Sequence, residues 1–221
     1  MYISVSLSNA PFDKIGEVVE QLDISEADAI HIDISDCTIL PMLVFSPKIV
    51  KDIRPYTRKP IDVHLSCVNP TWQIDEVAEA GADACAVQWD YCNFPRLTLD
   101  HIHQSEMTGG LAIRPHSDIP DMSYTRDLFE FVIIQTVEAP PSYNFLPYMS
   151  EKLKAHKHLK RNENITWFMD GDITFDNLEV VVRSGVDSLI IGSLITGAPN
   201  IPERVKEVKE KILEIQTKMF K

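Results

Sequence analysis

Residues 25–33 read S-E-A-D-A-I-H-I-D, and the same arrangement recurs as A-G-A-D-A-C-A-V-Q at 80–88 and as S-G-V-D-S-L-I-I-G at 184–192. Each copy places a small or flexible residue and an aspartate between an amphipathic stretch and a short apolar run. Glycine suits the left-handed turn that ends a helix, and aspartate suits a tight turn. The segment therefore predicts helix-to-strand connections. We expect structural roles for its three aspartates, Asp28, Asp83 and Asp187.

Short apolar runs and amphipathic stretches alternate along the whole chain. Alternation of this kind, with strands that lack a polar face, predicts parallel strands joined by helical crossovers. Eight such units in 221 residues predict an α/β fold, a single TIM (β/α)8 barrel that spans residues 1–221 as one domain. The eight strands are predicted at residues 1–6, 28–33, 60–65, 83–88, 110–114, 131–136, 165–169 and 187–192.

Two segments lie outside this alternation. Residues 137–145 form the longest irregular stretch and follow the sixth predicted strand, so we expect a lid or specificity loop over the barrel mouth. Residues 202–219 are predicted to form an amphipathic helix that closes the barrel wall or makes an oligomer contact. The apolar side of this helix carries Val205, Val208, Ile212, Leu213 and Ile215.

Composition and charge exclude several classes of protein. The hydrophobic fraction is 44%, and no apolar run approaches the ~20 residues that span a bilayer. The net charge of −12 argues against nucleic acid and anionic membranes as partners, because both need a basic surface. The amino terminus lacks a basic segment followed by a long apolar one, so we expect no signal peptide. The four cysteines contain no C-x-x-C pair, which favours reduced thiols and a cytoplasmic location.

Two histidines and two aspartates stand at or near the ends of predicted strands: His31 and Asp33 in A-I-H-I-D-I, His64 in D-V-H-L, and Asp170 in F-M-D-G. Residues two apart on a strand point to the same side, so His31 and Asp33 face the same way. The carboxyl ends of barrel strands are where such enzymes keep their chemistry. Two imidazoles and two carboxylates would form an N2O2 set suited to one divalent ion such as zinc, manganese or iron(II).

A structural explanation competes with this one, because an isolated H-x-D on a strand is more often a hydrogen-bonded pair than a ligand set. The recurrence of polar residues in otherwise aliphatic strands favours ligation, since a buried charge must be paired or must bind a metal. Asp62 lies in line with His64, and Asp36 follows Asp33 closely. We interpret Asp62 and Asp36 as groups that support a ligand or cap a loop.

Five segments together resemble the ribulose-phosphate 3-epimerase family, in order, over essentially the whole chain. They are I-H-I-D-I-S-D-C-T-I-L-P-M at 30–42, F-S-P at 45–47, P-I-D-V-H-L at 60–65, M-D-G at 169–171 and I-G-S at 191–193. In that family the first segment reads roughly H-x-D-x-M-D-G-x-F-V-P-N. The resemblance implies a TIM barrel whose metal is held by His31, Asp33, His64 and Asp170. It also implies that Asp33 and Asp170 act as the two acid/base groups.

These residue types suit the chemistry of such an enzyme. Inverting a carbon next to a ketone needs a base that removes the α-proton and an acid that returns a proton on the opposite face, through an enediolate. Two carboxylates across a pocket can exchange these roles. A metal chelated by the carbonyl and the neighbouring hydroxyl would stabilise the oxyanion by several kcal/mol. No organic cofactor is expected.

Three departures from the family pattern concern the shell around the reacting carbons. Family members usually carry methionines there, and this chain has Ser35, Ser66 and Gln135. Hydroxyl and amide groups at these positions predict a substrate with more or differently placed hydroxyls than ribulose 5-phosphate.

The phosphate-binding segments also differ. The family's G-G after the seventh strand reads Gly171-Asp172, and its G-F-G-G-Q lid reads P-P-S-Y-N. Gly192 and Ser193 remain as in the family, at a helical turn whose backbone N–H groups could bind an anion.

Three more residues are candidates for substrate binding or for the pocket wall. Ser6 matches the serine of the family's first-strand P-S motif. Arg114, at the end of the fifth predicted strand, could bind a phosphate or a carboxylate, pair with Asp172, or lie at the surface. Gln88, after the fourth strand, could line the pocket.

The hypothesis that follows is a metal-dependent epimerase that inverts C3 of a ketose phosphate, which need not be ribulose 5-phosphate. An isomerase or lyase of the same fold, acting on a non-phosphorylated or carboxylated sugar derivative, is the first alternative. The second is a non-catalytic barrel that binds a sugar phosphate, although such a protein has no reason to keep two buried carboxylates. The expected partners are a small-molecule sugar phosphate and further copies of the chain in a dimer or hexamer.

Overall fold

Parallel strands close into a barrel in the computed structural model of this protein, which describes residues 1–138, 144–155 and 164–219. Within these residues eight strands pair in sequence order, and the last pairs back to the first. The strands are β1 (Tyr2–Ser6), β2 (Ala29–Ser35), β3 (Ile61–Ser66), β4 (Ala84–Gln88), β5 (Thr108–Ile113), β6 (Phe131–Gln135), β7 (Thr166–Asp170) and β8 (Ser188–Ile191). The predicted TIM barrel is confirmed, and the predicted strands differ from these bounds by at most two residues.

Helices surround the barrel between the strands. The described helices are α1 (Ile15–Asp23), α2 (Lys48–Ile53), α3 (Thr71–Glu79), α4 (Pro95–Gln104), α5 (Tyr148–Ala155), α6 (Leu178–Arg183), α7 (Ser193–Thr196) and α8 (Ile201–Met219). The helix α8 packs against α1 and α6, so it closes the barrel wall as predicted. Leu213 does not share its buried side, because this residue is 63% exposed. None of the described helices is long and apolar enough to cross a membrane.

The three aspartates of the repeated segment connect neighbouring strands at the amino-terminal end of the barrel. Each carboxylate precedes one strand and accepts a hydrogen bond from a backbone N–H of the strand before it. The donors and acceptors are Ile3 to Asp28 at 2.8 Å, Ile61 to Asp83 at 2.8 Å, and Trp167 to Asp187 at 3.0 Å. Their expected structural role is confirmed, because these bonds satisfy backbone donors that the strand ladder leaves unpaired.

Aliphatic side chains of the strands fill most of the core, and two fully buried histidines interrupt them. His31 on β2 and His64 on β3 are each 0% exposed. The register of the two strands places Asp33 directly beside His64. The parallel arrangement therefore collects polar groups at the carboxyl end of the barrel, where a site can form.

Candidate active site

His31, Asp33, His64 and Asp170 converge at this end of the barrel. One ligand atom from each of them lies within 4.8 Å of the others. Asp33 and His64 are neighbours on β2 and β3, whereas Asp170 is the last residue of β7. The structure thus brings together the complete set that the sequence indicated.

The ring orientation of His31 is set by Asp62. The Nδ1 atom of His31 makes a short hydrogen bond to Asp62 Oδ1, and the other oxygen of Asp62 accepts from the hydroxyl of Ser4 at 2.5 Å. In the neutral ring that a metal requires, Nδ1 is the donor and the lone pair is on Nε2, which lies 3.2 Å from Asp33 Oδ1. Asp62 therefore supports His31, not the His64 with which it is aligned on β3.

The ring orientation of His64 is set by Gln88. The amide nitrogen of Gln88 donates to the carbonyl oxygen of Ala112 at 3.1 Å, so its oxygen faces His64 Nε2, also at 3.1 Å. An acceptor at that distance makes Nε2 the donor and leaves the lone pair on Nδ1. This Nδ1 lies 3.3 Å from Asp33 Oδ1. When both rings are neutral, as a metal requires, their unprotonated nitrogens thus face the same carboxylate oxygen.

The donor set fits a divalent cation. Two neutral nitrogens and two carboxylates form the N2O2 combination that zinc, manganese and iron(II) accept. Burial disfavours the charged form of His31, but the carboxylates of Asp33 and Asp62 outweigh it and raise the pKa of this histidine well above its usual value. Without a metal, a proton on His31 would therefore supply the positive charge that the surrounding carboxylates require.

The pKa values of the two carboxyl groups of the set are shifted in opposite directions from the ordinary value. Burial opposes ionisation of Asp33, yet the charge and hydrogen bonds of His31 and the hydrogen bond and charge of His64 hold its pKa well below the ordinary range. Burial, followed by repulsion from Asp33, raises the pKa of Asp170 to about 7. A pair of carboxyl groups separated in this way suits one acid and one base.

Two serines of the first strand region contact Asp33. The hydroxyl of Ser8 donates to Asp33 Oδ2 at 2.6 Å, and the hydroxyl of Ser6 lies 3.2 Å from the same oxygen. Asp33 therefore has one oxygen toward the histidines and the other held by serines. Ser8 was missed from the sequence, because it lies in the turn after β1, beyond the strand along which side chains alternate.

A cavity of about 390 Å³ opens above the four-residue set. All the residues predicted to bind substrate lie on its wall. They are Ser6, Ser35, Ser66, Arg114, Gln135, Gly171, Gly192 and Ser193. The wall also includes Asp33 and Asp170, whereas His31 and His64 are buried beneath it.

The three polar residues at the family's methionine positions differ in their contacts. The hydroxyl of Ser35 donates to the carbonyl oxygen of Met42 at 3.0 Å, so it anchors the loop between β2 and α2. The hydroxyl of Ser66 lies 3.3 Å from His64 Nε2. The amide oxygen of Gln135 is buried and has no hydrogen-bond partner among the described residues. Of the three, Gln135 is therefore the residue with a buried polar atom that has no partner among the described residues.

Apolar cover for the cavity comes from the β2–α2 loop, which the sequence did not indicate. Its residues on the wall are Ile39, Leu40, Met42 and Val44. Backbone contacts tie this loop to the barrel, including a parallel bridge between Ile34 of β2 and Phe45. Asp36 itself caps the loop, because its carboxylate accepts the backbone N–H of Thr38 at 3.0 Å.

The turn after β7 has two residues with positive φ, Gly171 at 121° and Asp172 at 48°. A Cβ on Gly171 would lie 2.8 Å from a methyl group of Val137, so the close approach requires glycine. Asp172 accepts the backbone N–H of Phe145 at 3.3 Å, and the suggested pairing of Arg114 with Asp172 is not formed. Of the predicted lid at 137–145, residues 139–143 lie outside the described residues, while Val137 and Glu138 line the cavity.

Comparison with known proteins assigns the family. The model of the ribulose-phosphate 3-epimerase family matches residues 2–196. The chain belongs to this family. A ribulose-phosphate 3-epimerase of Synechocystis is 28% identical over 214 residues, covering 94% of this chain and 92% of the relative. The enzyme of Bacillus subtilis is 26% identical and covers 94% of this chain and 97% of the relative.

The family assignment makes this protein a sugar-phosphate epimerase and confirms that it is an enzyme. The family is metal-dependent, and the four-residue set is a possible site for that metal. Solved structures share the fold alone. Orotidine 5'-phosphate decarboxylase from Pyrococcus horikoshii aligns with a TM-score of 0.69 at 15% identity, covering 95% of this chain and 98% of that one. KGPDC from Streptococcus mutans aligns with a TM-score of 0.66 at 15% identity, covering 97% of this chain and 98% of that one.

Proposed function

We propose that this enzyme inverts C3 of a ketose phosphate with one divalent metal ion, zinc, manganese or iron, and without an organic cofactor. The observation that supports this best is the convergence of His31, Asp33, His64 and Asp170, with one ligand atom of each within 4.8 Å of the others, at a cavity that Asp33 and Asp170 line. Epimerisation next to a ketone needs one group that removes a proton and another that returns one. A barrel that only binds a sugar phosphate needs neither of these acid/base groups.

His31, Asp33, His64 and Asp170 are the residues suited to hold the metal. The ring orientations of the two histidines support this. Asp62 contacts Nδ1 of His31 and Gln88 contacts Nε2 of His64, so the remaining nitrogen of each ring is left for a metal. When bound, the metal supplies Lewis-acid stabilisation of the charge that develops on the substrate oxygens.

The protein residues then divide the proton transfers. Asp33, held ionised by its histidine and serine contacts, removes the C3 proton of one epimer. Asp170, whose pKa is raised by burial and by Asp33 to about 7 in the metal-free protein, returns one to the opposite face. In the reverse direction the roles exchange. Ser6 and the backbone of Gly192 and Ser193 lie on the same wall and are suited to bind substrate oxygens.

The substrate we propose is a ketose phosphate other than ribulose 5-phosphate. Gln135 lies on the cavity wall, and a turn of its amide toward the cavity would pair its oxygen, which is buried without a partner among the described residues, with a substrate hydroxyl. A site built to pair with a hydroxyl can reject an analogue that lacks it by ~10⁴-fold, because its own polar group is then left unpaired. The exposed carboxylate of Asp172 on the wall adds repulsion toward a phosphate at the family's usual position.

Deuterium incorporation tests the proton transfers. The wild-type enzyme is incubated in deuterated water with tetrulose, pentulose and hexulose substrates, with and without phosphate, and inversion and exchange at C3 are followed by NMR. We expect Asp170→Asn to lower turnover by ~10²-fold or more, the range for a lost acid/base group. Asp176→Asn, the same change at a residue outside the cavity, is the control. Full activity of Asp170→Asn overturns the acid/base assignment.

The same panel distinguishes the alternatives. Ketose–aldose conversion or cleavage without inversion would identify an isomerase or lyase, and tight binding without turnover would identify a non-catalytic barrel. If ribulose 5-phosphate has the highest kcat/KM, above roughly 10⁴ M⁻¹s⁻¹, the specificity proposal fails. Elemental analysis of protein purified without chelators, beside His64→Ala, tests the metal site. Equal or absent metal in both proteins would contradict it.

We also propose that the chain forms one barrel domain, that it assembles into a dimer or hexamer, and that it acts in the cytoplasm. The cysteines support a reducing location, since none of the four forms a disulfide. Sedimentation equilibrium measures the assembly, and a monomer at micromolar concentration would contradict it.

A further inference from the structure

Arg114 is a half-buried cation on the cavity wall with no carboxylate partner among the described residues. One guanidinium nitrogen donates to the hydroxyl of Tyr91 at 3.2 Å, and the other terminal nitrogen lies 3.3 Å from His116 Nδ1. The guanidinium carbon lies 5.3 Å from the centre of the Tyr91 ring. Other arginines of the protein pair with acids, namely Arg54, Arg96, Arg183 and Arg204. Arg114 therefore keeps N–H donors available within the cavity.

The cavity is otherwise acidic. Its remaining charged residues are all carboxylates: Asp33, Glu138, Asp170 and Asp172. The chain as a whole has a net charge of −12. Among the described lining residues Arg114 thus carries the one positive side chain that an anionic ligand can approach.

The turn that carries Arg114 is held in place by α5. The hydroxyl of Tyr148 donates to the carbonyl oxygen of Pro115 at 2.7 Å, and the ammonium group of Lys152 donates to the same oxygen at 3.2 Å. Lys152 also donates to the carbonyl oxygen of Ser117, whose backbone N–H bonds to the carbonyl oxygen of Arg114 at 3.2 Å. A guanidinium on a fixed turn, stacked on a ring, loses little freedom when it binds an anion.

Arg114 follows Ile113, the last residue of β5, which pairs with Ile134, and Gln135 likewise follows Ile134 as the last residue of β6. Gln135 in turn pairs with Asp170 on β7. Polar groups therefore extend from the acid/base pair toward β5. Gly192 lies in the other direction, after β8.

We propose that Arg114, stacked on Tyr91, binds an anionic group of the substrate, a phosphate or a carboxylate, on the β5–β6 side of the cavity. This inference rests on the proposed function, since it takes the cavity to be the substrate site. The planar fork of a guanidinium matches the paired oxygens of either group. The substrate then extends past Gln135, whose amide oxygen has no hydrogen-bond partner among the described residues and would pair with a substrate hydroxyl once the amide turns toward the cavity. Its anionic group lies away from Gly192, where the family resemblance would place it.

Calorimetric titration with inorganic phosphate and, separately, with malonate tests the site at constant ionic strength. The proteins are the wild type, Arg114→Gln and the control Arg96→Gln, which removes the same charge from an ion pair with Asp127 outside the cavity. We expect wild type to bind at least one probe, Arg114→Gln to bind it at least tenfold more weakly, and Arg96→Gln to stay within twofold. Binding of phosphate alone identifies a phosphate site, and binding of malonate alone identifies a carboxylate site.

Three results would overturn the inference. They are no binding of either probe by wild type, unchanged affinity in Arg114→Gln, and equal weakening in both arginine variants, which would show an effect of net charge. Asp170→Asn separates this inference from the proposed function. If that variant retains full turnover but the Arg114 effect remains, the anion site stands and the acid/base assignment fails.

Discussion

Replacing Gln88 by leucine tests how the candidate metal site is assembled. The change removes the acceptor that holds His64 Nε2–H at 3.1 Å and the donor that reaches the Ala112 carbonyl oxygen at 3.1 Å. His64 and Gln88 are both buried, so a group left unpaired there costs about 1–3 kcal/mol of folding free energy. The hydroxyl of Ser66, 3.3 Å from the same nitrogen, can accept part of the freed N–H. We therefore expect the loss of stability to fall near the lower limit.

Gln88→Leu should also weaken metal binding, which a control substitution away from the site should not do. Without Gln88 the imidazole of His64 is free to place its proton on Nδ1, the atom that faces Asp33. Loss of such a supporting group typically weakens metal binding about 10- to 100-fold. Competitive titration of the metal-free protein with zinc and a chromophoric chelator measures the affinity, and urea unfolding measures stability.

Gln73→Leu is the matched control. Gln73 is also buried, lies on α3 outside the cavity, and has an amide oxygen without a partner among the described residues. The same substitution there should leave metal affinity unchanged and stability equal or higher. If Gln88→Leu is folded and binds zinc as tightly as wild type, His64 is not oriented by Gln88 or is not a ligand.

Two further predictions concern the carboxylates. Since burial and Asp33 raise the pKa of Asp170 to about 7, the native metal-free protein binds a proton that the unfolded chain has already released between about pH 4 and 7. The free energy of unfolding of wild type minus that of Asp170→Asn should therefore decrease as the pH rises through this interval. Urea unfolding of both proteins across the pH series measures this difference, and a constant difference would contradict the assignment. Ser8→Ala removes the 2.6 Å hydrogen bond to Asp33, so we expect kcat to fall severalfold at nearly constant KM. Steady-state kinetics of Ser8→Ala and of the conservative variant Ser8→Thr checks this role. Ser8→Thr keeps the hydroxyl and should have a kcat close to that of wild type, whereas a change in KM alone in Ser8→Ala would refute the role.

The polar residues at strand ends were predictable because they break an otherwise aliphatic pattern. His31, Asp33, His64 and Asp170 stand out in the printed sequence, and a parallel barrel collects the carboxyl ends of its strands at one face. The structural roles of Asp28, Asp83 and Asp187 were also predictable, because these aspartates occur at the same place in three similar segments before strands. The strand bounds followed from short apolar runs of strand length.

Contacts between residues far apart in sequence were not predictable in the same way. Gln88 meets His64 across 24 positions, and Asp62 meets His31, not its neighbour in β3. Both pairings depend on strand register, since a shift by one residue turns each side chain to the opposite face. The stacking of Arg114 on Tyr91 likewise depends on how the turns after β4 and β5 pack.

The sequence alone therefore determined the barrel, the order of its strands and the set of residues that face its mouth, because local periodicity and the polarity of strand ends encode them. The tertiary structure decided which atoms of those residues meet. It placed Asp62 against Nδ1 of His31 and Gln88 against Nε2 of His64. It also decided the serine contacts of Asp33, the amide of Gln135 without a partner among the described residues, and the contact of the Arg114 guanidinium with Tyr91. Hydrogen bonds form over about 3 Å, and only closure of the barrel brings strands that are distant in sequence to that separation.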